Sequence, residues 1–205
     1  MLLVGIDLSL RSPGVAVFDM SRNVIRVGFM PQTKTQSSRV PAVLRMPSGT
    51  EVRLISMVPG HQRNYSDSTV GRSIDVVDRI MHLISTAADP PAEVKNIRVR
   101  LEGYSFGKFG GSSSVTVLSE LNGILKAQLE TSGIGYEVVA PNSVKKSFTG
   151  QGNADKLAMF ERFQALTGCA RPFAGAGVPS PWQDMADAFA ILTTFDGVLE
   201  RIAPE

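Results

Sequence analysis

Three short apolar runs separated by two tight turns fill the first thirty residues, and they leave this chain few ways to begin its fold. Leu2–Asp7 is the first run. Ser12-Pro13-Gly14 has turn chemistry, Val15-Ala16-Val17-Phe18 resumes the apolar character, and Ser21-Arg22-Asn23 turns the chain again before Val24–Phe29. This spacing predicts three consecutive antiparallel strands joined as a meander.

Beyond the meander, residues 31–66 hold two β-like stretches, 40–46 and 51–58, on either side of Pro47-Ser48-Gly49, which predicts an inserted hairpin arm. Apolar residues at helical spacing predict a helix over 68–88, stopped by Asp89-Pro90-Pro91. A strand over 96–101 then runs into Glu102, and a glycine-rich loop (Gly103, Gly107, Gly110, Gly111) follows it. A helix over 114–131, a strand over 136–140 and helices over 142–148, 154–167 and 181–201 complete the chain. Ser180, Pro181 and Gln183 have the pattern of a capping box at the start of the last helix. The expected fold is α/β: a mixed five-stranded sheet, three antiparallel strands then two parallel, flanked by helices and carrying the arm. At 205 residues it is expected to be a single domain over 1–205.

Composition removes several classes. With 43% hydrophobic and 20% charged residues the chain can build a core, which excludes a disordered chain, a coiled coil and a collagen-like fibre. No apolar run approaches the roughly 18 residues of a membrane span, and the N-terminus lacks a basic region before Asp7, so neither a span nor a signal peptide is expected. Cys169 is the lone cysteine, so no intrachain disulfide or cysteine zinc site is possible and a reducing, cytoplasmic setting is expected. The net charge of +2 does not establish a nucleic-acid partner, although residues 1–60 carry seven basic residues against three acids, a local +4.

Four acids stand where stability alone would not put them. Asp7 and Glu102 each end an otherwise apolar strand, and Asp184 and Asp187, three residues apart on a helix, share one face. Singly, each has an ordinary explanation: Asp7 can accept bonds from the turn after it, and Asp184 suits the positive end of a helix. Jointly they form an all-oxygen set for Mg²⁺ or Mn²⁺ rather than zinc. Two such ions about 4 Å apart activate water and stabilise the leaving oxygen in phosphodiester cleavage.

Rival chemistries lack their residues. The histidines are His61 and His82, with no triad signature around them, and no Walker lysine-serine pair or dinucleotide-binding glycine spacing follows the strand before Gly103. Lys145, Lys146 and Lys156 flank Gly150 and Gly152, where close backbone approach and point charges suit a phosphate. Tyr104, Phe106 and Phe109 lie among the loop glycines beside Lys108, an arrangement suited to stacking on exposed bases.

Gly5-Ile6-Asp7-Leu8-Ser9 with Pro13-Gly14, the strand-end Glu102, Val144-Lys145 through Gly150-x-Gly152-x-Ala154-x-Lys156, and Asp184-x-x-Asp187-Ala188 occur in an order that resembles the RuvC-type Holliday-junction resolvases of the RNase H-like (retroviral integrase) superfamily. The resemblance covers about residues 1–30 and 70–200, and the 31–66 insertion marks a phage-type or divergent member. It implies metal binding by Asp7, Glu102, Asp184 and Asp187, two Mg²⁺ ions per site with Mn²⁺ substituting, and catalytic roles for Lys145 and Lys156. It also implies a homodimer nicking four-way DNA junctions in a bacterial or phage-infected cytoplasm, with DNA contacts from Arg11, Tyr104, Phe106, Lys108, Lys145, Lys146 and Lys156. The family places a wedge aromatic just after the glutamate; here Tyr104 and Phe106 flank Ser105. The apolar face of the 114–131 helix (Val117, Leu121, Ile124, Leu125) either forms the dimer or covers the sheet. Alternatives are a related nuclease for flaps, forks or RNA, and a non-catalytic junction-binding protein. An actin-like ATPase or sugar kinase needs a longer, two-lobed chain.

Overall fold

The computed structural model describes residues 1–30, 43–57, 65–88, 90–103, 112–170, 173 and 177–203, with the side chains of 112–114 excepted. The meander forms as expected from β1 (Leu2–Asp7), β2 (Gly14–Asp19) and β3 (Val24–Phe29), antiparallel throughout, with Asp7 opposite Gly14 and Gly14 opposite Phe29. Two strands follow, β4 (Val43–Arg45) and β5 (Glu51–Ser56), then α1 (Thr69–Ser85), β6 (Ile97–Glu102), α2 (Ser112–Thr131) and β7 (Gly135–Val139). The last part holds α3 (Pro141–Thr149), α4 (Lys156–Thr167), α5 (Trp182–Leu192) and α6 (Val198–Ile202).

The sheet has seven strands in the order β4-β5-β3-β2-β1-β6-β7, rather than five. The two extra strands come from the expected arm, whose β5 runs parallel to β3 and extends the sheet edge, while β4 closes antiparallel on β5. The reason is the two-residue period of β5. Val52 and Leu54 are buried beside Ile25 and Val27, and a free arm would leave them in water. Residues 31–42 and 58–64 of the arm lie outside the described residues.

Helices cover both faces. On one, α1 and α2 bury Val76, Ile80, Leu121, Leu125 and Leu129 against Val4, Ile6, Val15 and Val17. Leu121 and Leu125 of the apolar face of α2 are therefore part of this chain's own core, while Val117 and Ile124 of the same face are half-buried. On the other face, α3, α4, α5 and α6 bury Phe148, Phe160, Phe163 and Phe189 against Phe18, Ile25 and Val27.

The single helix expected over 181–201 is two. The Thr193 and Thr194 hydroxyls donate back to the Ala190 and Ile191 carbonyls, competing with continued helix, and Gly197 at φ 73° turns the chain into α6. Nor does the capping box form: α5 starts at Trp182 after Pro181 with no side-chain cap bond.

Candidate active site

β1 and β6 are adjacent and parallel, with Ile6 opposite Leu101. The next residue on each strand, Asp7 and Glu102, therefore leaves the sheet at the same edge, as parallel register requires. The helical pair reaches them because α5 lies almost on the backbone of β1 and β2. A Cβ at Gly5 would overlap the Leu192 amide and approach the Ala188 carbonyl oxygen to 2.6 Å. A Cβ at Gly14 would overlap the Asp184 carbonyl oxygen. Glycine at those two points, and Ala186, Ala188 and Ala190 along α5, let helix and sheet meet at this distance.

A cavity of about 880 Å³ opens at that edge, bordered by Asp7, Glu102, Asp187, Lys145, Lys156 and Arg11, with Ser9, Asn122 and Asn142 in its wall. Lys145 reaches it from α3 and donates through Nζ to the Ala154 carbonyl at 2.8 Å. Gly150, left-handed at φ 82°, ends α3 and lets the chain return for this bond. Asp155 caps α4 by accepting from the Ala158 amide at 2.8 Å, which sets Lys156 at the first helical position.

The acids form one electrostatic unit. Burial raises the Asp7 carboxyl well above the usual carboxylate range, and the charges of Asp187, Glu102 and Asp184 raise it further, against Lys156. Burial lifts Glu102 to about 7, helped by Asp187 and opposed by Lys145. Asp187 rises to about 6, again chiefly by burial; a bond from Gln183 Nε2 at 3.4 Å opposes the rise and Asp184 adds to it. Burial is the main cause at each of the three, and the neighbouring carboxylates add to it.

Asp184 differs from the other three. It is 8% exposed and does not border the cavity. Its Oδ2 accepts from the Ser180 hydroxyl at 2.5 Å, and this bond, with the influence of the Ser12 hydroxyl, partly offsets the rise that burial causes.

The structure thus brings Asp7, Glu102, Asp187, Lys145, Lys156 and Arg11 to one cavity, with Asp184 behind. Lys146 is exposed and does not border it, since the next residue along a helix is rotated by about 100° from Lys145. Tyr104, Phe106, Lys108 and Phe109 lie outside the described residues. Sequence reasoning missed Ser12, Ser180 and Gln183 as partners of the acids, and the packing role of Gly5 and Gly14. Gly5 inside an apolar strand was the available signal, because strand-interior glycine marks close backbone approach.

The donor set suits a hard divalent cation: the candidate ligand atoms are carboxylate oxygens, gathered where burial and their neighbours disfavour an uncompensated negative charge. Among the described residues, no group of three or more His, Cys, Asp or Glu side chains already forms a metal-holding cluster.

No protein-family model matches the sequence and no curated protein matches it. Among solved structures, the chain is similar to RuvC of Thermus thermophilus, with a TM-score of 0.52 and 17% identity over 95% of this chain and 92% of that one. It is likewise similar to T. thermophilus RuvC in complex with a Holliday junction substrate, with a TM-score of 0.50 and 18% identity over the same shares. A likeness that spans nearly all of both chains gives one conclusion: this chain has the RNase H-like fold of RuvC.

Proposed function

We propose that the protein is a divalent-metal-dependent endonuclease that resolves branched DNA, four-way junctions foremost, by paired nicks from a homodimer. The observation that carries this reading is the convergence of Asp7, Glu102 and Asp187 with Lys145 and Lys156 on one cavity of a RuvC fold. The similar structure that holds a Holliday junction supports the choice of substrate.

Asp7, Glu102, Asp187 and Asp184 are the residues that would hold two Mg²⁺ ions. When bound, such a pair supplies acidification of the attacking water and positive charge for the leaving oxygen. The chain's own residues do the rest. Lys145 and Lys156 hold the scissile phosphate as point charges, and the tether from Lys145 to Ala154 limits where that charge can go. Arg11, exposed at the mouth of the cavity, meets a flanking phosphate. Apolar Leu8, Val117 and Leu118 in the wall thin the water around the reacting phosphate and strengthen these charges.

The test is incubation with a labelled synthetic four-way junction and Mg²⁺, beside duplex, flap and single-stranded controls. Symmetric nicks in opposed strands of the junction are expected, with little cutting of the duplex. Binding without cleavage in Mg²⁺ or Mn²⁺ would leave a junction-binding protein instead, and preferred cutting of flaps or RNA would reassign the substrate. Sedimentation showing only 22.0 kDa monomers, with and without junction, would reject the dimer.

A further inference from the structure

We propose that Ser12 and Ser180 are positioning residues that clamp the Asp184 carboxylate and so set the affinity of the acidic cluster for its cation. This rests on the metal-dependent reading above.

The two serines come from separate parts of the chain. Ser12 lies in the turn between β1 and β2, five residues after Asp7, and Ser180 lies two residues before α5. The Ser180 hydroxyl donates to the Asp184 carboxylate at 2.5 Å, and the Ser12 hydroxyl acts on the same carboxylate from the other segment, lowering its pKa. The Ser180 bond is at the short end of hydroxyl–carboxylate bonds and marks a charged acceptor.

Ser180 stands one residue before Pro181, the N-cap of α5. From there its hydroxyl reaches forward into the first turn of the helix, to Asp184. Asp184 in turn is out of the cavity while its electrostatic influence is felt at Asp7 and Asp187. A carboxylate held in this way has its rotamer chosen by its hydrogen-bond donors. Such outer partners of ligating carboxylates typically change metal affinity by about 10–100-fold when removed. The clamp also couples the β1–β2 turn to α5, the two elements that must stay in register for Asp7 and Asp187 to act on the same ion.

The measurement is Mn²⁺ binding to the full chain without DNA, followed by the electron paramagnetic resonance of the free ion, beside thermal melting. Ser180→Ala and Ser12→Ala are each expected to weaken Mn²⁺ binding about tenfold. The double variant should lose less than the product of the two, because both act on one carboxylate. Ser180→Thr should bind as the parent does, and Ser180→Cys, which puts a larger and weaker donor in the same place, should fall between and serves if the alanine variant does not fold. Affinities of both alanine variants within twofold of the parent, while Asp184→Asn binds poorly, would overturn the clamp and leave the metal reading standing. Unchanged Mn²⁺ binding in Asp7→Asn and Asp184→Asn alike would overturn the metal reading and the clamp with it.

Discussion

Gly14, the first residue of β2, lies directly against the backbone carbonyl of Asp184: a methyl group there would overlap the carbonyl oxygen and stand 2.7 Å from its carbon. Backbone cannot yield as a flexible side chain can, so α5 would have to lift. Gly14→Ala is expected to destabilise by about 1–3 kcal/mol, as overpacking does. It should also lower junction cleavage beyond the loss of folded protein, because the same shift carries Asp187 away from Asp7. Denaturant unfolding and single-turnover cleavage on one preparation check both halves; full cleavage by the folded fraction would separate the contact from the site.

Replacing Asp7, Glu102 or Asp187 by its amide is expected to abolish cleavage, and so is Asp184→Asn, while junction binding stays largely intact. Affinity comes mainly from Lys and Arg contacts to phosphate, which these changes spare. Without metal the Asp7, Glu102 and Asp187 variants should melt higher than the parent at pH 8, since each removes a charge that burial and its neighbours disfavour. For a chain of this size about 1 kcal/mol of relief appears as roughly 2–4 °C. A variant that cleaves normally does not belong to the site.

The raised carboxyls give stability a definite pH dependence. Glu102 titrates near 7 and Asp187 near 6 in the folded chain, both above their unfolded values, so the folded state holds more protons between about pH 4 and 7. Metal-free stability should therefore fall as pH rises through that window, by at most about 1.4 kcal/mol per pH unit for each group. Above it, Mg²⁺ should restore stability by binding the ionised cluster. Thermal melts from pH 4.5 to 8 with EDTA and with Mg²⁺ test this, and a metal-free melting temperature that climbs across the window contradicts it.

Lys156 is exposed at the rim of the cavity and acts on three of the acids. Lys156→Gln is expected to reduce the salt dependence of junction binding by about one unit of log–log slope. It should also raise the pH at which cleavage sets in, since the charge that helps ionise Asp7 and Asp187 is gone. A binding slope equal to the parent's would take Lys156 off the phosphate.

The meander, the strand ends at Asp7 and Glu102, and the pairing of Asp184 with Asp187 were legible in the sequence, because each is written in local periodicity: two residues for a strand, three to four for a helix turn. The oxygen-rich chemistry of the site was legible for the same reason, since residue types declare their donors. What the sequence could not show is everything set by distance across the chain. Whether 43–45 and 51–56 stand free or join the sheet depends on Ile25 and Val27 offering a neighbour for Val52 and Leu54. Whether Leu121 and Leu125 face a partner or the sheet depends on how α2 is rotated over Val4 and Ile6. Ser180 reads locally as a helix cap, and only the fold places its hydroxyl on Asp184. Gly14 reads locally as a turn, and only the fold sets Asp184 against it. Local pattern determines which elements form and which groups they carry; close packing between distant segments decides which of those groups meet.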